Sequence, residues 1–287
     1  MSGKPEPHTP RFLAWLYSTR SQQPVLAALC AIEREVGASV RAGVDHHVAH
    51  VRLEWWREEC ARCAAGNPVH PLTRELRTHL EQFAPAGLAN SALAGLSGLV
   101  DAATWDLAAA TFERRAELTA YCRRWAAAMV SPVGAPGVDW SDFGAALCEL
   151  ELLGHLARDA RSGRLRIPLD ELERAGVTPE AVATPPWPQG LANMLHGRHR
   201  QLRQQLATAV ARLSPQAQQR SRGLLVWAAL AWQASVRAER ALPHEPAATI
   251  ASAAAANWRA WRAARAASAG VFRLGPKFPG GGLPGAS

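Results

Sequence analysis

Glu151, His155 and Asp159 stand four residues apart in a stretch of strong helix formers without proline. On a helix this spacing sets two carboxylates and an imidazole on one stripe. Such groups can ligate a metal ion. The same stripe, with Arg158 or Arg34 as partner, would form a structural ion-pair ladder, which is the commoner use of such residues. His46 and His50 repeat the spacing, with Glu54 one turn further on. No second cluster accompanies them, and exposed histidines at a helix start are ordinary, so a surface role is expected. Cys60-Ala61-Arg62-Cys63 is a lone C-x-x-C in a helical stretch. Zinc ribbons need a second pair and thioredoxin-like motifs a βαβ setting, so coincidence is expected here. Glu33 and Glu35 are two apart and point in different directions, either solvated or paired with Arg34 and Arg41. Trp258-Arg259-Ala260-Trp261-Arg262-Ala263-Ala264-Arg265 mixes the two residue types that suit a membrane interface. The first expectation is that its tryptophans pack on a bundle while its arginines are solvated. Membrane contact is the second.

The elements that position these residues follow from composition. The chain has 287 residues, 48% of them hydrophobic, a length that supports one large domain. Ala, Leu and Arg dominate and strand formers are sparse, which favours helix. The net charge is +8, and Lys4 and Lys277 are the only lysines. Arginine is the better residue for bidentate phosphate contacts. A GC-rich coding sequence would give the same excess of Arg over Lys. A nucleic-acid role would rest on charge alone, without a recognised motif, and is not expected. Five cysteines and a polar, proline-rich start point to free thiols in a cytoplasmic setting. The longest apolar stretch, Gly223 to Ala231, is too short to span a bilayer.

Periodicity, caps and breakers predict helices over Arg11–Thr19, from Pro24 to before Gly43, and from the Asp45 cap to about Ala65. Further helices are expected over Pro71–Phe83, Leu88–Leu99, Thr104–Arg115 and Glu117–Val130. A long helix should run from Asp139 or Ser141 to about Arg161, with a short one over Pro168–Ala175. Leu191–Leu213, Pro215–Ala241 and Ala247–Ser268 complete the set. Residues 131–137 and 179–190, rich in Pro and Gly, are expected to be loops. No hairpin signal or repeat appears. The expectation is one all-α domain over residues 10–268, between a loose tail at 1–9 and a disordered Gly/Pro-rich tail at 269–287.

Val51-Arg52-Leu53-Glu54-Trp55-Trp56-Arg57-Glu58-Glu59 resembles the R-L-x-W-W-R-x-E-L signature of the squalene/phytoene synthase family. Two further strings extend the resemblance. Ala28-Leu29-Cys30-Ala31-Ile32 keeps the frame of a first acidic motif, A-L-Y-A-F-C-R-x-x-D-D-x-x-D. Arg158-Asp159 and Gly163-Arg164…Pro168 are similar to parts of a second, Q-x-x-N-I-L-R-D-x-x-E-D, followed by G-R-x-Y-L-P. The order and spacing match over most of the chain. The resemblance implies an isoprenoid synthase-type helical bundle. Its active members join two prenyl diphosphates head to head with Mg²⁺ held by paired aspartates, whose departing diphosphate the metal neutralises.

This chain departs from the pattern at those aspartates. Gly37, Ala38 and Arg41 stand at the positions of the first motif, and the second acidic pair of the second motif is missing. His155 replaces the motif's asparagine. Glu151, His155 and Asp159 would be what remains of a metal set. Arg52, Arg41 and Arg158 become candidates for a positive cavity mouth holding a diphosphate, and Asp106 for a cavity-facing carboxylate or a partner of Arg114 or Arg115. Ala28–Arg41, Arg52–Glu59 and Glu149–Asp159 should face one central cavity. The expected function is a catalytically degenerate member that binds an isoprenoid diphosphate or related lipid, or assists protein assembly, with peripheral membrane contact and no firm cofactor. The alternative is an active prenyltransferase using Mg²⁺ held by Glu33, Glu151, His155 and Asp159.

Overall fold

The computed structural model describes residues 4–41, 43–83, 86–108, 110–246 and 253–275. Among them are α-helices, short 3-10 turns and loops, with no strand. The helices are α1 (Pro10–Tyr17), α2 (Gln22–Ala38), α3 (His46–Ala65), α4 (Pro71–Phe83), α5 (Ala86–Ala94), α6 (Ser97–Leu107) and α7 (Arg115–Met129), then α8 (Ser141–Leu153), α9 (Leu156–Arg161), α10 (Leu169–Arg174), α11 (Gln189–Ala211), α12 (Pro215–Arg220), α13 (Arg222–Ala241) and α14 (Ala253–Ser268). The all-α class expected from composition is what the chain adopts.

Local chemistry sets many of the ends. The Thr9 side chain accepts from Phe12 N at 3.1 Å, and Pro10 supplies the pre-set φ of a first helical residue, so α1 starts there. Asp45 caps α3 by accepting from the His47 and Val48 amides. Gly66, at φ 100°, closes α3 in a left-handed conformation that a side chain resists. Ser214 caps α12 through Ala217 N.

Packing overrides local preference elsewhere. The helix expected over Leu88–Leu99 is divided between α5 and α6. An added Cβ on Gly98 would overlap the Arg124 carbonyl, so this glycine lets α6 lie directly against α7. No helix spans Thr104–Arg115. Past α6 the chain becomes a strap, where Phe112 O accepts from Leu169 N at 2.8 Å and Glu113 O from Asp170 N at 3.1 Å. The long helix expected to reach Arg161 breaks at Gly154-His155, giving α8 and α9. The helix expected over Pro215–Ala241 breaks at Ser221, whose hydroxyl accepts from Ala135 N at 2.8 Å.

The core is one contiguous apolar cluster with Leu29, Ile32, Phe112, Phe143 and Trp227 among its members. In it α8 packs on α7 and α11, while α13 packs on α1, α11 and α14. Described residues near both ends of the helical domain pack against it. Pro5 is buried and Lys4 Nζ lies 5.2 Å from the Trp15 ring centre. Phe272 is fully buried and its amide donates to Gln218 Oε1 at 2.8 Å. The expected helix start over residues 247–252 and the tail from 276 lie outside the described residues. No helix among the described residues is long and apolar enough to cross a membrane.

Candidate functional site

Two half-open cavities share a wall in the bundle. The smaller, about 270 Å³, lies among α2, α6, α7, α8 and α9 and is lined by Gly37, Asp106, Tyr121, His155, Asp159 and other residues. The larger, about 580 Å³, runs beneath the start of the chain, with Pro10, Leu150, Trp227, Ala231 and Ala234 in its walls and the exposed Arg34 also lining it. Arg11, Glu33, Glu151 and His155 line both.

Five helices position the shared wall. Arg11, in the first turn of α1, inserts its guanidinium between Glu33 of α2 and Glu151 of α8. It pairs with Glu33 Oε2 through Nη1, and Nη2 lies 2.6 Å from Glu151 Oε2. Trp125 of α7 donates its indole N–H to Glu33 Oε1 at 2.9 Å, and Trp227 of α13 donates to Glu151 Oε1 at 2.8 Å. The two indole rings also flank the cation, 5.5 and 5.2 Å from the guanidinium carbon. Each carboxylate thus holds one cation and one indole N–H. Burial works against the Arg11 charge, but the Glu151 and Glu33 carboxylates overcome it and hold its pKa above the ordinary value. Such charge-assisted contacts are the strong class of hydrogen bond.

A second arginine lies across the smaller cavity. Arg166 is buried, with Nη1 2.7 Å from Asp106 Oδ1 and Nε 3.4 Å from Asp159 Oδ2. The Asp106 contact has the distance of an ion pair but not the alignment of a hydrogen bond. The Tyr121 ring lies 5.7 Å from the guanidinium carbon. Burial opposes the Arg166 charge as well, and Asp106 outweighs it, raising the pKa. Arg166 stands where the G-R-x-Y-L-P pattern has tyrosine.

Glu151, His155 and Asp159 all line the smaller cavity, yet they do not form one helix stripe, because the backbone breaks at Gly154-His155. Arg11 holds Glu151, and Arg166 holds Asp159, with Arg158 Nε 3.6 Å from the other Asp159 oxygen. Burial, then the Arg158 charge, depress the His155 pKa. Glu33 is half-buried and pairs with Arg11 rather than with Arg34. Asp106 does face the cavity and pairs with Arg166 rather than Arg114 or Arg115. Among the described residues no group of three or more His, Cys, Asp and Glu side chains is arranged to hold a metal ion. The side chains present do not fit the paired-aspartate Mg²⁺ site that the motifs imply, since arginines already neutralise the carboxylates.

The expected positive mouth is not assembled. Arg41 and Arg52 are exposed and line neither cavity, whereas Arg158 lines the smaller one. The reason lies in α3, whose buried stripe is Ala49, Leu53, Trp56, Cys60 and Cys63. Arg52 precedes Leu53 by one position, about 100° around the helix, and so turns away. The tryptophan-rich string serves packing. Trp56 lies 4.8 Å from the His70 ring, and fully buried Glu59 accepts from the Val69 and His70 amides at 2.9 Å and from the Thr73 hydroxyl. These bonds fix the start of α4. Cys60 and Cys63 are free, buried thiols, like Cys30, Cys122 and Cys148. His46 and His50 are exposed, their Nε2 atoms 3.1 Å apart. A larger groove of about 870 Å³ lies between α11 and α13, but there Arg200 and Arg203 both pair with Glu239.

Sequence reasoning missed Arg11 and Arg166. The second had a signal, a cation in place of a motif tyrosine. The first had none, because its role comes from four other helices, α2, α7, α8 and α13, that meet it in the folded chain.

The chain's similarities are consistent with this architecture. A comparison with curated proteins found no match. Among solved structures, a dehydrosqualene synthase in complex with ligand superposes with a TM-score of 0.70 at 14% identity, covering 90% of this chain and 89% of that one. The squalene synthase HpnC from Alicyclobacillus acidocaldarius superposes with a TM-score of 0.62 at 18% identity, covering 79% and 87%. At such identities these likenesses establish the fold, an isoprenoid synthase-type bundle. The sequence profile described as squalene/phytoene synthase matches residues 6–262. With the match spanning nearly the whole helical domain, the chain belongs to the squalene/phytoene synthase family.

Proposed function

We propose that this chain is a metal-independent member of its family that binds an isoprenoid lipid or its diphosphate without condensing two of them. The observation that carries the reading is the double neutralisation of the cavity carboxylates, Glu33 and Glu151 by Arg11, Asp106 and Asp159 by Arg166. Ionisation of a prenyl diphosphate needs cations gathered at the departing group. Here the carboxylates that would gather them are already paired, and Gly37, Ala38 and Arg41 bring no carboxylate. The larger cavity keeps apolar walls suited to a prenyl chain, and Arg34 at its rim offers a cation to a polar head. The test is incubation with farnesyl and geranylgeranyl diphosphate plus Mg²⁺, followed by analysis of organic-soluble products. No coupled product is expected. A head-to-head product would establish the alternative, an active prenyltransferase.

We also propose peripheral contact with an anionic membrane through α14. Trp258 and Trp261 are 59% and 40% exposed and stack with ring centres 4.8 Å apart. Arg265 lies over Trp261 at 5.5 Å, so apolar rings and a cation share the solvent-facing stripe. The native chain should sediment with anionic vesicles, and Trp258→Ala with Trp261→Ala should remove most of that binding. Equal sedimentation of the two forms would refute the contact.

A further inference from the structure

We propose that Arg11 sets the chain-length limit of the cavity: its guanidinium fills a cation site formed by Glu33, Glu151, Trp125 and Trp227, and so divides one cavity into two. The inference rests on the lipid-binding reading above and assigns this side chain a role that no motif suggests. Three observations support it. The cavities of about 270 and 580 Å³ share Arg11, Glu33 and Glu151 as a common wall, so a prenyl chain in the larger one ends against the guanidinium. The surroundings of that guanidinium are those of an organic-cation site, two carboxylates plus two indole rings at 5.5 and 5.2 Å. The helix that carries the cation is also anchored. Ser18 Oγ donates to Ala14 O at 2.8 Å, Arg222 Nε of α13 donates to Tyr17 O at 2.7 Å, and Gly223 admits α1 so closely that an added Cβ would lie 2.6 Å from Ala14 O. Arg11 is therefore a fixed partition rather than a swinging gate.

A structural ion pair alone would alter stability and nothing else. A partition also alters which ligand lengths fit, and a cation site accepts a free cation when its own is removed. Arg11→Ala leaves Glu33 and Glu151 half-buried without a counter-charge, so it is paired with a second variant, Arg11→Ala/Glu33→Gln/Glu151→Gln, that carries no unbalanced charge. Farnesyl and geranylgeranyl diphosphate binding is read by quenching of tryptophan fluorescence without added metal. The native chain should prefer the shorter ligand by about ten-fold, the size of a modest overpacking penalty, and the triple variant should bind the two about equally. Methylguanidinium should raise the thermal midpoint, or the refolding yield, of Arg11→Ala and leave the native chain unmoved. An unchanged length preference in the triple variant, or no response of Arg11→Ala to methylguanidinium, would overturn the proposal. If no form binds either prenyl diphosphate, the lipid-binding reading falls, and with it the chain-length role. Methylguanidinium then still decides whether the cation site exists.

Discussion

His199 is buried on α11, with Nδ1 3.0 Å from Ser235 Oγ, and Arg203 Nη1 lies 2.9 Å from the same hydroxyl. Burial, then the Arg203 charge, push its pKa from 6.5 down to about 4; Glu239 and Glu149 oppose this, and His196 adds to it. The unfolded chain takes up this proton near pH 6.5 and the folded chain only near pH 4. Stability from this group is therefore complete above pH 6.5 and declines as pH falls toward 4, by about 3 kcal/mol in all. Denaturant midpoints measured across that window should fall for the native chain and fall less for His199→Gln. A flat profile in the native chain would contradict the depressed pKa. At this scale the sequence revealed identities better than partners. Glu151, Asp159 and Asp106 were legible as cavity carboxylates because motif strings surround them. Their counter-ions were not, because Arg11 reaches Glu151 across 140 residues of chain.

Helix ends were legible wherever one residue decides them locally, as Thr9-Pro10, Asp45 and Gly66 do. They were illegible where the decision belongs to a neighbour. Glu149-Leu150-Glu151-Leu152-Leu153-Gly154 favours continued helix, and only a glycine hints at the break that directs Asp159 toward Arg166. The strap after α6 likewise contains no proline; its carbonyls leave the helix to accept from Leu169 and Asp170. The α1–α13 contact is the element on which the cavity partition depends. On Gly223 an added Cβ would overlap Ser18 Oγ. Gly223→Ala should cost about 2 kcal/mol through overpacking and should lower hydrogen-exchange protection across α1 more than across α7. Unchanged protection in α1 would show that the helices do not depend on this approach.

For the molecule as a whole, the all-α bundle and its family were readable from a few strings in order, although α3, which carries the strongest string, serves packing and helix capping instead of lining the cavity. The arginine-rich composition reads differently once folded. Part of that excess charge is internal, at Arg11 and Arg166, which pair with Glu33, Glu151, Asp106 and Asp159. The central proposal is that fixed cations take the place of exchangeable ones on the family scaffold. Calorimetric titration of the native chain with farnesyl diphosphate, with and without Mg²⁺, tests it most directly. Binding should be present without metal and equal with it, to within about three-fold. A Mg²⁺-dependent tightening of about ten-fold or more, roughly 1.4 kcal/mol, would show that the carboxylates release their arginines to bind metal, and would contradict the account.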